Sequence, residues 1–507
     1  MKRPRTQKGQ PPPLARDELV GGRGVASIAR NLTYVMGGRG VYFATRFLYA
    51  VVLARVLGPE IYGKINYGIA LYLLFLPLTK IGLEVVLSRD AGLSRLQGDR
   101  TAALTLTLRI ASILVVTAAY VGFSFFLEGD PELRRMVLVF SFALIGRSLA
   151  FWTESVYTAY EVNQYSFRQQ AIFRTLEVAL GLAALFAWQE ALPVVAAHCL
   201  AWCLEAAYGL SVIHRRILPL RLGTDAADLR RIFLQGLPLA GVMLLATLPY
   251  QGPLVFFRHV ASHGDTLGQL AIAMQVFFML SQVPLALGSV SLPVLSRAAV
   301  RRDGKDRVYA QTVIRYTMLF GSVLALLGMA FGPWVTVLIF GDHYARAGTL
   351  VGPSLWLIVP WATGHALTGV LLAMKRDKET LFCTLAGALL FSLTISPGVS
   401  RYGVIGAIWC SALSMSLTAG FLIYFLHRRP GLDVWVSLAR PGLMVSIAAG
   451  LYFLLGSLNP AAAFFCAVAV LAAGCCWSGC LTRQDLALLS RPLRVFGGRE
   501  HPEARDR

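Results

Sequence analysis

The sequence predicts an all-α polytopic membrane protein with about 14 transmembrane helices. Three observations lead there. Apolar residues make up 56% of the 507, and mean hydropathy is +0.61. Charged residues fall to 15%, where a soluble domain carries about a quarter. The apolar residues come in runs of roughly 20, the length at which a helix crosses a hydrocarbon core. Fourteen such crossings use about 280 residues, and the remainder is spent on tails and short loops, with no room for a further soluble domain.

In chain order, residues 1–30 are a basic, Pro- and Gly-rich tail, with no cleavable signal segment after it. Apolar spans follow near 41–57, 65–87, 103–127, 136–159, 169–188, 192–213, 232–257, 268–296, 316–340, 349–374, 380–397, 402–426, 441–457 and 461–482. Residues 31–213 hold six spans, 214–231 form a basic linker, 232–430 hold six more, 431–482 hold two, and 483–507 are a polar tail. Alternating the connections puts 34 Lys and Arg on the side of both tails and six on the other, namely Lys64, Arg134, Arg135, Arg258, Arg346 and Arg401. The positive-inside rule then makes both termini cytoplasmic.

Several function classes drop out. A net charge of +20 suggests nucleic acid in a soluble chain, but here the basic residues sit in the loops between spans, and no nucleic-acid partner is expected. The outer connections are too short for the catalytic loop of a membrane glycosyltransferase or polymerase, and no Gly-rich phosphate loop ending in Lys-Ser/Thr is present. The eight cysteines all lie in apolar runs. They read as small packing residues rather than disulfides or metal ligands, so no metal and no cofactor is expected.

Ionisable side chains inside spans cost about 2.5 to 3.5 kcal/mol each on the insertion scale and mark functional candidates. Eleven occur, all in the first six spans: Arg39, Arg46, Arg55, Lys80, Glu84, Arg109, Arg147, Glu154, Arg174, Glu177 and Glu205. Facing lipid, they would together cost about 30 kcal/mol, so a polar interior in the first half is expected. Arg39, Tyr42, Arg46 and Tyr49 fall on one helical stripe. At about 1.5 Å per residue, Arg46, Lys80, Arg109 and Arg174 sit toward the cytoplasmic side and Arg147 deeper. An anion entering from the cytoplasm meets this charge first, and guanidinium forks suit phosphate oxygens.

The same residues have structural readings. Lys80 with Glu84 and Arg174 with Glu177 have the spacing of intrahelical ion pairs, while Arg46, Arg109, Arg174 and Arg55 are near enough to span ends to snorkel. Arg147 is too deep to do so and too far from Glu154 to pair. His198 and His365, the histidines well inside spans, read first as hydrogen-bond donors between helices and second as proton relays, and Gln235, Gln251, Gln275 and Gln282 as helix glue or as cavity lining for sugar hydroxyls. Pro238, Pro249, Pro253, Pro284 and Pro293 are expected to break or kink the seventh and eighth spans.

The halves of the chain are weakly repeated. LARVLGPEIYGKINYGIALYLLFLPLTKIGLEVVLSRDA and VFFRHVASHGDTLGQLAIAMQVFFMLSQVPLALGSVSLPVLSRAA share an Arg at the outer end of the first helix (Arg55, Arg258), a short polar link, a long apolar span and a basic exit. Two six-helix lobes plus two C-terminal helices fit the count.

LARVLGPEIYG, AIAMQVFFMLSQVPLALGSVSLPVLSRA, FGDHYARAGTLVGPSLWLIVP, LLAMKRDKETL and RYGVIGAIWCSAL, in that order, resemble the polysaccharide or oligosaccharide flippases of the multidrug/oligosaccharidyl-lipid/polysaccharide exporter superfamily, over residues 30 to 430. The resemblance implies two pseudo-repeated six-helix lobes around a central cavity that opens alternately to each side of the inner (plasma) membrane. It implies a polyprenyl-diphosphate-linked glycan as cargo, membrane lipid as surroundings, and a glycan polymerase and glycosyltransferases as pathway partners. Arg46, Arg147 and Arg258 are the first candidates for diphosphate or glycan contact, followed by Arg55, Lys80, Arg109 and Arg174. Rival readings are a peptidoglycan-precursor flippase, a drug or metabolite exporter, which wants an acidic cavity, and a membrane-bound enzyme or scaffold of glycan assembly.

Overall fold

The computed structural model describes residues 23–261, 264–301, 305–374, 376–428 and 434–477; residues 1–22 of the N-terminal tail and the whole C-terminal tail lie outside the described residues, and residues 23–30 begin the first helix. The described residues are almost entirely helical: α1 (Arg23–Lys80), α2 (Leu83–Leu93), α3 (Arg95–Leu127), α4 (Pro131–Ala159), α5 (Asn163–Trp188), α6 (Ala191–Arg216), α7 (Ala226–Val260), α8 (Gly264–Arg301), α9 (Lys305–Phe340), α10 (Ala345–Leu355), α11 (Ile358–Ala373), α12 (Asp377–His427), α13 (Val434–Gly456) and α14 (Pro460–Trp477).

Helix and crossing do not correspond one to one. Gly58, at φ 72° and ψ 174°, leaves helical geometry inside α1. Residues placed symmetrically about it, Leu53 and Tyr62, Ala50 and Ile65, Arg46 and Ile69, line one pocket, so the two halves run antiparallel side by side. Gly403 (φ 60°, ψ −135°) does the same inside α12. There the Cys410 thiol donates to the Thr394 carbonyl at 3.3 Å and the Ser414 hydroxyl to that of Gly387 at 2.7 Å. Only glycine adopts such backbone angles without a strain of about 1–3 kcal/mol. Conversely α10 and α11, bent by 41° at their junction, make one span. Ten of the described helices are long and apolar enough to cross a membrane, eleven with that bent pair. Counting the two halves of each hairpin separately raises this by two.

The polarity is that of a lipid-embedded protein. On α3 the buried residues include Thr101, Thr105, Arg109 and Ser112, while Leu114, Val115 and Phe126 are 67%, 69% and 94% exposed. A contiguous apolar exterior over a polar interior needs a nonaqueous solvent. Helices α1 to α6 pack mainly among themselves, as do α7 to α12, and α13 and α14 pack on each other and on α9.

Two sequence expectations are corrected. Helix α7 runs unbroken through Pro238, Pro249 and Pro253, because its long contact with α12 holds the turns that the missing N–H groups weaken. Lys80 and Glu84 are not on one continuous helix: Ile81 and Gly82, at φ 51° and 62°, separate them, and their charges lie 3.9 Å apart across that break.

The lobes meet at both ends. At the Gly58 end, a Cβ built on Gly63 would lie 2.7 Å from the Gly268 amide nitrogen, so α1 and α8 touch backbone to backbone. The Arg55 guanidinium there donates to the carbonyls of Ile339 and Leu338, at 2.7 and 2.6 Å, capping the C-terminus of α9. At the other end the Ile81–Gly82 break lies against Gly236 and Leu239 of α7.

Candidate functional site

Between the lobes lies a cavity of about 540 Å³. The first lobe contributes Tyr42, Arg46, Asn66 and Lys80 from α1, Arg147, Phe151 and Glu154 from α4, Gln170 and Arg174 from α5, and Trp202 and Glu205 from α6. From the second lobe come Tyr250, Gln251 and Leu254 on α7 and Gln275, Phe278, Met279 and Gln282 on α8. The charge therefore lies on one wall; the facing wall offers neutral amides and aromatic rings.

The four cations on that wall are not equivalent. Arg174, 2% exposed, is held by two carboxylates at once, its Nη1 by Glu177 and its Nη2 by Glu205, with its guanidinium 3.7 Å from the Trp202 ring centre. The Nη1 of Arg46 reaches only 3.5 Å to Glu177. The Nζ of Lys80 lies 4.0 Å from the Phe151 ring centre. Arg147 has no carboxylate within ion-pair distance among the described residues: its Nη1 donates to the Tyr72 hydroxyl at 2.8 Å, and the Trp202 and Phe151 rings lie 4.6 and 5.4 Å from it. The Nε of Arg147 is buried with no hydrogen-bond partner among the described residues. A buried donor left unmade costs about 1–3 kcal/mol.

Behind this wall Glu177 gathers a network. Its Oε1 accepts from His198 Nδ1 at 2.6 Å, and His198 Nε2 lies 3.2 Å from the Tyr72 hydroxyl. Gln169 donates to Glu205 at 3.3 Å and Gln170 to Glu154 at 3.1 Å.

Of the seven residues singled out from sequence, Arg46, Lys80, Arg147 and Arg174 line the cavity, and the structure brings them together from three helices. The other three stand elsewhere. Arg109 is fully buried against Glu84 at 3.1 Å. Arg55 caps α9, as described above, and Arg258 pairs with Glu128 at 3.5 Å near the Gly58 end. Gln251, Gln275 and Gln282 line the cavity; Gln235 does not. The Arg39 side chain lies outside the described residues. Sequence reading passed over Tyr72, Asn66, Phe151, Gln170, Trp202 and Tyr250. The aromatic ones carry no signal in an apolar run, since a ring that stacks on a guanidinium and one that packs on Leu look alike in sequence.

This arrangement of helical lobes around a polar cleft is found in solved transporters. The lipid II flippase MurJ in its inward closed conformation is 13% identical, with a TM-score of 0.65 over 91% of this chain and 99% of that one. A MOP-superfamily transporter from Pyrococcus furiosus is 16% identical, with a TM-score of 0.58 over 84% and 98%. A Vibrio cholerae MATE transporter is 13% identical, with a TM-score of 0.58 over 80% and 99%. No curated protein matches the chain. Fold and cavity together define a polytopic helical membrane protein with the fold of these structures. The chain belongs to the polysaccharide biosynthesis protein family, which matches residues 28–299, more than half of its length.

Proposed function

We propose that the protein flips a polyprenyl-diphosphate-linked oligosaccharide from the cytoplasmic to the outer leaflet of the inner membrane, by alternating access, for a surface polysaccharide. The observation that carries this reading is Arg147, a half-buried guanidinium on the wall of the cavity between the lobes, with aromatic and hydroxyl neighbours and no carboxylate within ion-pair distance among the described residues. Arg46 and Lys80 stand on the same wall with weakly held charges. A diphosphate diester carries two negative charges and suits such forks, while Gln251, Gln275, Gln282 and Asn66 offer the amides that hydrogen-bond sugar hydroxyls. On the cavity wall the cations Arg46, Lys80, Arg147 and Arg174 outnumber the carboxylates Glu154 and Glu205, the reverse of what a cavity for cationic drugs needs. In this reading both termini are cytoplasmic, and the glycosyltransferases and polymerase of the pathway act before and after the step.

The test is translocation of a polyprenyl-diphosphate glycan in proteoliposomes at matched protein levels. A hydrogen bond to a charged group contributes about 1.5–3 kcal/mol, so Arg147→Ala is expected to slow translocation by about ten- to a hundredfold, and Arg46→Ala by less. Equal rates in the wild type and both variants would make the arginines structural. Extrusion of organic cations with no movement of the lipid would replace the flippase with an exporter.

A further inference from the structure

His198 and its neighbours form a chain whose hydrogen-bond directions are fixed by chemistry. An arginine only donates, so Arg147 Nη1 gives a proton to the Tyr72 oxygen at 2.8 Å. The Tyr72 hydroxyl is then free to donate to His198 Nε2 at 3.2 Å, and His198 Nδ1 donates to Glu177 Oε1 at 2.6 Å. A neutral imidazole with its proton on Nδ1 completes the chain. The charged or titratable groups around His198 are Arg46, Tyr49, Tyr62 and Tyr72 from α1, Arg147 from α4 and Glu177 from α5. Two arginines against one carboxylate leave no surplus negative charge to hold a proton on the ring while the cavity is empty.

The imidazole also has a route to the cavity. His198 lines a small chamber that shares Arg46, Asn66, Ile69 and Gln275 with the main cavity. The chamber's volume of about 20 Å³ is that of a single water. The Tyr49 hydroxyl on its wall is buried with no partner among the described residues, a polar group for such a water to serve.

We propose that His198 is a proton-binding site coupled to the anion site at Arg147, so that the protein takes up one proton at His198 as an anionic diphosphate enters the cavity. The inference rests on the diphosphate reading above and adds a second ligand to it. An anion docked on Arg147 and Arg46 cancels the arginine field that opposes a charged imidazole. Protonated at Nε2, His198 keeps its contact to Glu177 as an ion pair and donates to the Tyr72 oxygen, which continues to accept from Arg147. The Tyr72 proton then needs another acceptor, and an anion held at Arg147 supplies one. Binding of proton and anion is thereby reciprocal.

The probe is a prenyl-diphosphoryl-N-acetylglucosamine, a diphosphate diester whose own protonation lies far below neutral pH. Its binding to the full chain in nanodiscs is measured calorimetrically from pH 6 to 8.5 in buffers of different ionisation enthalpy. The expected result is close to one proton taken up per probe, with affinity falling by up to tenfold per pH unit above the imidazole pKa of the empty protein. His198→Asn is expected to bind the probe with no proton uptake and a flat pH profile. Tyr72→Phe, which keeps the ring and removes the link, is expected to bind more weakly and to lose most of the pH dependence, and it serves as the second variant should His198→Asn fail to fold. Wild-type binding without proton uptake overturns the inference while leaving the diphosphate reading standing. Proton uptake that survives in His198→Asn assigns the proton to another group, Glu154 or Lys80, and also overturns it. No binding at any pH overturns the diphosphate reading and this one together.

Discussion

Arg147 and Arg174 stand against the same Trp202 ring, yet their surroundings give them opposite work. Arg174 is neutralised from both sides by Glu177 and Glu205, and those carboxylates need it as much as it needs them. Arg174→Ala is expected to leave Glu205 buried without a cation, with only Gln169 beside it, and to destabilise the protein by about 3–5 kcal/mol. Thermal unfolding in detergent checks this, and a melting point within a degree or two of wild type would rule it out. Arg147→Ala removes no partner of a buried acid, so the same measurement is expected to show a much smaller loss even as translocation falls. The i, i+3 spacing of Arg174 and Glu177 was legible in the sequence as an ion pair. Glu205, 31 residues away, was legible only as another buried acid, because no helical periodicity relates α5 to α6.

At the scale of the element, the two breaks in φ/ψ at Gly58 and Gly403 turn single long helices into hairpins. Short polar links mark both in the sequence: Glu60 and Lys64 follow Gly58, and Ser400 and Arg401 precede Gly403, which is where the span pairs 41–57/65–87 and 380–397/402–426 divide. Gly58→Val places a β-branched residue at φ 72° and is expected to cost about 1–3 kcal/mol, read as a lower yield of folded protein and a lower melting temperature than for Val at the exposed helical position of Ala44. The linker helix start obeys local rules too. Asp225 caps α7 by accepting from the amides of Asp228 and Ala227, at 3.3 and 3.0 Å, and from Arg100. The Asp228 amide first, with the Ala227 amide and Arg100 adding to it, holds this exposed carboxyl below its usual range. The cap's contribution is thus present above the unfolded-state pKa and is lost as pH falls through the folded one.

Across the whole molecule, the lobes touch at the Gly58 end through Gly63 and Gly268. Alternating access requires this end to part. A Cβ built on Gly264 lies 3.3 Å from Glu60 Cγ, close enough for a disulfide between cysteines placed there. In a background cleared of native cysteines, Glu60→Cys with Gly264→Cys is expected to form that bond on mild oxidation, to stop translocation, and to recover it on reduction. Undiminished translocation by the oxidised pair would show that the lobes need not separate here. The close approach itself is a packing device: in lipid, helices associate by contact rather than by hydrophobic driving force, and small residues permit it. Gly268→Leu is therefore expected to push α1 and α8 apart and to reduce the yield of that cross-link.

What the sequence determined by itself was the lipid solvent, the all-helical fold and the presence of a polar interior in the first half. These follow from composition and from periodicity within single helices, where each residue's environment is set by neighbours three and four positions away. Only the tertiary structure decided which of the seven candidate cations share a cavity. It sent Arg109 to Glu84, Arg55 to the end of α9 and Arg258 to Glu128, and it left Arg147 with the Tyr72 phenol and the Phe151 and Trp202 rings in place of an acid. A charge buried in a membrane must find compensation, and that compensation comes from other helices, whose rotation and depth are fixed by packing across the whole bundle rather than by any spacing along the chain.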